Sequence, residues 1–400
     1  MRHSLPLLRF FPEGFRSTAQ RWWWGLFALS ILLSGLVFGW IFWARIPADQ
    51  FAHVDYIQGV LLGKEPFLPN FLFFLVIILL ALGSTQKVTL ALVMTACLAL
   101  SVGAKYWLSL RFTQHELQRH QLQGRSLPSL LFVSLFLLLW CFNLPGPSNF
   151  MLGQFSPNLW HNSTMIFLMP FAVGLFGISW QYILQPRKGL LWLMALLIVL
   201  NILIKPSFYF CFLPAFGLMM LWQHGLKPAF WQSLWPLLVG LLLLGIEYWF
   251  FYVLEHPEST HIEQAGIALD PLAVWTHYSR NPVLSFLAST AFPLSVGILF
   301  PSVWREEKAY VYSWLLFLFG LVLFIFLIEE GERAFHGNFG WQLFAANYML
   351  FLTSLGILIK QYYLDRWQNR AWILLAIFIL HLFSGLIYFQ KLSQYQYTAF

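Results

Sequence analysis

The feature that most constrains this chain is the recurrence, from end to end, of apolar runs near or above eighteen residues. A run such as Trp22–Trp43, wound as a helix, is long enough to cross about 30 Å of hydrocarbon. Only 10% of the residues are charged, against 59% hydrophobic. Soluble domains carry about 25% charged residues to cover their surface, so a soluble fold is excluded. A transmembrane barrel needs short alternating strands, which the sequence does not show. The pattern predicts an all-α, polytopic transmembrane helical bundle of about ten to thirteen membrane segments.

The net charge of +7 is spread over short loops. Scattered basic residues suit orientation in a membrane and contact with anionic lipid, and they give no reason to expect nucleic acid. Cys97, Cys141 and Cys211 all lie in apolar stretches without metal-site spacing, which reads as buried free thiols. Met1–Arg21 is basic and lacks a short apolar region with a small-residue cleavage site, so Trp22–Trp43 reads as a retained first helix. The organisation expected is a cytoplasmic segment 1–21, a membrane core 22–254 and further membrane helices over 255–400.

Arg2, Arg9, Arg16 and Arg21 place the N-terminus in the cytoplasm and the next loop, 44–70, outside. Within that loop Val54–Gly63 reads as a short amphipathic helix. Apolar segments follow at Phe71–Leu82, Val88–Leu110 and Leu130–Phe142, with the polar run Arg111–Arg125 before the last. Next comes a polar, turn-rich island, Gly153–Thr164, then a helix ending in Gln185-Pro186-Arg187-Lys188. A hairpin turns at Lys205-Pro206, where proline supplies no N–H to a helix. Later loops at 256–281 and 329–342 are expected outside, and Arg305–Lys308 inside. Loop 44–70 and the island are both expected outside although three apolar segments separate them. One of the three must therefore be re-entrant, lie in the interface or split into two, and Phe71–Leu82, among the shortest, is the first suspect.

The outside face would then collect Asp49, His53, Asp55, Gln154, Asn158, His161, Lys205, Glu329, Glu330, Arg333, His336 and Asn338. Carboxylates at a hydrocarbon boundary can serve as general bases, and Lys, Arg and His can hold an anionic phosphate. For any one of these residues, capping a helix or solvating a turn is the commoner role. His161-Asn162-Ser163-Thr164 can be simply the cap of the next helix, and Asn162-Ser163-Thr164 is also a formal glycosylation acceptor. Glu247 and His381 are ionisable groups within membrane segments and are candidates on that ground. Glycine-rich phosphate loops, zinc spacings and serine-nucleophile motifs are absent from the sequence.

The order of features resembles the GT-C superfamily of integral-membrane glycosyltransferases, and most of all glycosyltransferase family 87, the polyprenyl-phosphate-mannose-dependent mannosyltransferases. The residues that carry the resemblance are Asp55-Tyr56 followed by Leu61-Leu62-Gly63-Lys64-Glu65-Pro66, Gly153-Gln154 with Asn158, the basic Arg187-Lys188, and Lys205-Pro206. They fall between about residues 20 and 250, and Phe155–Pro157 lengthen the family's spacing between Gln154 and Asn158. The resemblance implies transfer of a sugar from a polyprenyl-phosphate donor to a glycan or glycolipid acceptor at the extracytoplasmic face of a bacterial inner membrane, with inversion. It implies an aspartate base, Asp55 first and Asp49 in reserve, with Gln154, Asn158 and Lys205 toward the donor; His161 joins them as a substrate-binding candidate from its place in the same island. Arg333 and His336 join Lys205 as candidate phosphate ligands on their charge alone. Neither a metal nor another cofactor is called for. Two other classes fit the same residues: a polysaccharide polymerase or ligase using lipid-linked glycans, and a transporter or flippase with Glu247, His381 and Lys205 on its pathway.

Overall fold

The computed structural model describes residues 18–46, 48–68, 70–122, 131–132, 153–250, 266–331, 334–364 and 369–393. Among them the chain is almost entirely helical. In order come α1 (Thr18–Trp43), α2 (Asp49–Leu61), α3 (Leu72–Leu80), α4 (Lys87–Arg119), α5 (Ser163–Leu184), α6 (Lys188–Ile204), α7 (Ser207–His224) and α8 (Pro228–Tyr248). There follow β1 (Ile267–Leu269), α9 (Ala273–Tyr278), α10 (Pro282–Leu299), α11 (Val303–Glu306), α12 (Lys308–Phe326), β2 (Leu327–Glu329), α13 (Trp341–Tyr363) and α14 (Asn369–Ser393). Eight of the described helices are long and apolar enough to cross a membrane, and α6 is a shorter apolar helix. The chain is an integral membrane protein with an all-α bundle. The predicted segment Leu130–Phe142 lies almost wholly outside the described residues.

Small residues let helices approach where hydrophobic association cannot drive them. A Cβ on Gly103 of α4 would lie 2.6 Å from Ile31 of α1, and one on Gly35 would meet Ala99 at 3.8 Å. Trp24 and Trp107 stack at 4.8 Å lower on the same seam. Almost every residue of α13 is buried, so that helix forms the middle of the bundle, whereas α1 and α8 present large apolar side chains outward.

Three points of the expected pattern are decided here, the first as expected and the other two with shifted bounds. α3 is only nine residues. At 1.5 Å per residue it spans about 14 Å, less than half the hydrocarbon thickness, and it cannot cross. Of the other two segments between loop 44–70 and the island, only the one that forms α4 is described. Second, α4 does not end at Leu110 but continues to Arg119. Its last turns are held by Arg119 Nη1 on Glu116 Oε2 at 3.0 Å and by the Trp180 indole donating to Glu116 Oε1 at 2.8 Å. Third, the helix expected over Val54–Gly63 begins earlier, at Asp49.

The two ends of the bundle differ. At one end lie the C-terminus of α1, the α6–α7 turn, the start of α13 and the β1–β2 ladder, in which Ala268 pairs with Ile328. At the other, Lys360 Nζ meets Glu307 Oε1 at 2.5 Å, and Lys308 donates to Gln223 at 2.6 Å.

Candidate functional site

Residues Gly153–Thr164, expected at a membrane surface or in the wall of a wet cavity, form a strap buried inside the bundle, with only Leu159 partly exposed. Non-helical backbone at membrane depth persists only where its polar groups find partners. The Trp275 indole donates to the Gly153 carbonyl at 3.1 Å, and Phe155 N–H donates to Ser289 Oγ at 2.9 Å. Asn347 donates to the Phe155 carbonyl at 2.5 Å, and Lys105 Nζ donates to Asn158 Oδ1 at 2.8 Å. Trp160 N–H reaches Tyr388 Oη at 3.3 Å. Five helices thus lace the strap in place. Gln154 is buried at its start, 1% exposed.

The strap's far end zips onto the first turn of α2. Asp49 N–H donates to the His161 carbonyl at 3.1 Å, and Gln50 Nε2 donates to the Trp160 carbonyl at 2.9 Å. Asn162 does two jobs. Its Oδ1 accepts from Met165 N–H at 2.9 Å, capping α5, while its Nδ2 donates to Asp49 Oδ2 at 2.6 Å. The capping role weighed from the sequence is therefore real, and it fixes the orientation of the amide that grips Asp49. Asn162 is 4% exposed with both amide atoms engaged, so the folded chain offers no glycosylation acceptor there.

One turn on from Asp49, His53 Nδ1 hydrogen-bonds Ser163 Oγ. Lys205 caps α6, its N–H on the Asn201 carbonyl at 2.8 Å, and its Nζ lies 4.6 Å from the centre of the Trp341 ring. Asp49, His53 and His161 all feel that ammonium. Burial pushes the Asp49 carboxyl up from 3.8 to about 6, with Lys205 pulling partly back. Burial, reinforced by Lys205, holds His53 and His161 down at about 3, so both imidazoles stay neutral at physiological pH. Asp49 Oδ1 makes no hydrogen bond among the described residues, and Asp49 is only partly buried. The cluster therefore holds a carboxylate with a free oxygen and a proton affinity near neutrality, one ammonium, two neutral imidazoles and an indole face.

Of the residues singled out in the sequence, the structure brings together Asp49, His53, His161 and Lys205, with Asn158 and Gln154 further along the same strap. Asp55 is elsewhere. It stands six residues, about 120°, round α2 from Asp49, its Oδ1 2.6 Å from Lys87 Nζ in an exposed ion pair. His336 is exposed in the loop after β2, and Arg333 lies outside the described residues. Glu247 and His381 play no part in the cluster; His381 Nε2 accepts from Phe292 N–H at 3.3 Å and meets Phe351 edge-on. Cys97 and Cys211 are buried free thiols, and Cys141 lies outside the described residues.

Sequence reasoning passed over Trp341, Tyr388 and Lys105. For the first two no local signal exists, since their partners are more than a hundred residues away. Lys105 did carry one: it is a lone charge in an apolar helix, the same mark that drew attention to Glu247. Among the described residues no three His, Cys, Asp or Glu side chains converge as a metal site.

The fold is that of a helical integral membrane protein, and at one end of it Asp49, His53, His161 and Lys205 come together. No family model, curated protein or solved structure matches the chain.

Proposed function

We propose that this chain is a membrane glycosyltransferase that moves a sugar from a polyprenyl-phosphate donor to a hydroxyl of a glycan or glycolipid acceptor, with Asp49 as general base. The observation that carries the reading is the buried cluster itself, a raised-affinity carboxylate facing a lysine where α2, the strap and the α6–α7 turn meet. An acid–base group works best when its proton affinity lies near the operating pH, and Asp49 meets that condition. In the reaction the acceptor oxygen forms a bond to the anomeric carbon and its proton passes to Asp49 Oδ1. The bond from that carbon to the phosphate oxygen breaks on the opposite side, and polyprenyl phosphate leaves, its charge met by Lys205. A single displacement inverts the anomeric centre.

The orientation follows from the same reading. Basic residues before α1 favour a cytoplasmic N-terminus. α1 crosses and α3 does not, so the Asp49 end faces away from the cytoplasm, and the Arg187-Lys188 and Arg305–Lys308 turns face it. This fits the proposed site of action, the extracytoplasmic face, in what we propose is a bacterial inner membrane. GT-C membership fits the sequence motifs and the short helices α2 and α3 between the first two spans.

The test is transfer of labelled sugar from a panel of polyprenyl-phosphate sugars by membranes carrying Asp49→Asn or Asp55→Asn. Loss of the base costs about a hundred- to ten-thousand-fold in rate, whereas Asp55→Asn stays within a few-fold of the parent. Full activity in Asp49→Asn overturns the assignment.

A further inference from the structure

The β1–β2 ladder stands at the end of a membrane span. α12 has nineteen residues and starts beside the charged Glu307–Lys360 pair. At 1.5 Å per residue it covers about 28 Å, so its last residue, Phe326, lies at the far boundary of the hydrocarbon. The chain passes from Phe326 into β2 at Leu327 without a linker. β1 folds back onto the helix end, where Asp270 N–H donates to the Phe326 carbonyl at 3.1 Å and Leu272 N–H to the Ile325 carbonyl at 2.7 Å. Both carbonyls belong to the last turn of α12, which has no partners for them within the helix. The ladder is thereby fixed at the height of the membrane surface.

In the ladder Leu269 lies opposite Leu327, and Ile267 opposite Glu329. Side chains alternate across a strand, so Ile267 and Leu269 share a face. Both are open, at 54% and 76% exposure. Leu272 adds a third exposed apolar side chain, carried on a left-handed backbone with φ +66°. A residue with a Cβ reaches that region only against a steric cost, and the bond to Ile325 holds it there. The row is continuous with a lipid-facing surface. Leu318, Val322 and Phe326, at positions i, i+4 and i+8 of α12, are exposed along one face of the span. Phe326 ends that stripe, and its carbonyl holds the residue that follows Leu269.

In water, an apolar row on an open strand edge is unfavourable and invites aggregation. Within hydrocarbon the unpaired strand backbone would cost more still. The boundary between headgroups and acyl chains answers both, because the side chains reach the hydrocarbon while the backbone stays hydrated. We propose that the β1–β2 ladder is an interfacial anchor whose partner is the phospholipid of the leaflet at the Asp49 end, with Ile267, Leu269 and Leu272 inserted at that boundary. Glu329 Oε2 accepts from Asn338 Nδ2 at 2.5 Å, and Asn338 opens the one-turn 3-10 helix Asn338–Gly340 that leads into Trp341. The depth of the anchor is thus tied to the height at which Trp341 carries Lys205. The anchor requires neither sugar nor donor, so it stands or falls apart from the transferase reading.

Depth-dependent fluorescence quenching tests it on the full-length chain with Cys97, Cys141 and Cys211 changed to Ala, reconstituted in vesicles of phosphatidylethanolamine and phosphatidylglycerol. An environment-sensitive fluorophore is attached in turn at Leu269→Cys and Leu272→Cys, with Leu318→Cys as the mid-span reference. A lipid nitroxide near the headgroup is expected to quench positions 269 and 272 at least ~2-fold more than aqueous iodide does. A nitroxide deep in the acyl chain should act best on position 318. Quenching of 269 and 272 by iodide alone puts the row in water and overturns the anchor. Protection of both positions from every quencher means that protein covers them, and overturns it as well. As a readout that needs no substitution, a phospholipid with a diazirine on the first carbons of its acyl chain should crosslink to residues 267–272 of the parent chain. Crosslinks confined to the membrane spans overturn the proposal.

Discussion

Asp49→Asn should make the protein more stable while removing its activity. Burial lifts the Asp49 carboxyl from 3.8 to about 6, which means the fold disfavours the ionised form. A gap of about two pH decades corresponds to about 3 kcal/mol. A group whose proton affinity is raised by folding stabilises the fold fully below its unfolded value near 4, and that contribution is lost as pH rises through about 6. Asparagine has almost the same shape, and its amide oxygen can still accept the Asn162 Nδ2–H that now goes to Asp49 Oδ2 at 2.6 Å. It carries no charge to desolvate. The variant is therefore expected to match the parent near pH 4 and to exceed it by up to about 3 kcal/mol at pH 7–8. His53 and His161 act in the opposite sense, because their imidazoles protonate in the unfolded chain below about 6.5 but in the fold only near 3. Both proteins share that trend, so the difference between the two stability curves isolates Asp49. Thermal unfolding in one detergent across pH 4–8 measures it. A variant less stable than the parent at pH 7.5, or a difference flat with pH, refutes the reasoning.

Other perturbations separate the roles of neighbouring residues. Lys205→Gln removes the charge that lowers Asp49's proton affinity, so the acid limb of the rate–pH profile should move above about 6 while the rate falls at least ~10-fold. An unmoved limb would show that Lys205 does not act on Asp49. Asn162→Ala loses the α5 cap, worth about 1 kcal/mol, together with the Asp49 contact, and both melting temperature and rate should drop; Asn162→Asp keeps the cap oxygen but sets a second carboxylate beside Asp49 and should move the acid limb further up. Asp55→Asn breaks only an exposed ion pair with Lys87, so stability should change by less than about 1 kcal/mol. For topology, Thr85→Cys should react with an impermeant thiol reagent from outside and Gln185→Cys only from the cytoplasm. The reverse pattern would put the Asp49 cluster on the wrong face for the proposed donor.

Helices were legible where composition alone decides them. An apolar run such as Trp22–Trp43 has nowhere else to satisfy its backbone in lipid, and its helix, Thr18–Trp43, emerges within a few residues of expectation. The shortness of Phe71–Leu82 was legible for the same reason. Polarity left open whether Gly153–Thr164 lies at a surface or walls a cavity. Its burial was not legible because its hydrogen-bond partners, Ser289, Asn347, Lys105 and Tyr388, come from helices remote in sequence. The choice between Asp49 and Asp55 is a matter of helix phase. Both sit on α2, and only the burial of Gln50, Val54 and Ile57, with Gln50 held on the strap's Trp160 carbonyl, shows which side faces inward. Likewise Lys205-Pro206 announced a turn, but not that the lysine would lie on Trp341 within electrostatic reach of Asp49. Pairing of Ile267 with Glu329 across sixty residues left no local trace at all.

The central claim is that the Asp49 cluster makes glycosidic bonds. Purified protein in lipid vesicles, given α- or β-anomers of labelled polyprenyl-phosphate sugars with crude envelope glycolipid as acceptor, addresses it directly through the configuration of the product. The account predicts a new glycosidic bond of inverted configuration from at least one donor, formed faster as pH rises through about 6 and almost lost in Asp49→Asn. Retention of configuration, or lipid crossing the vesicle wall with no glycosidic bond formed, would contradict it.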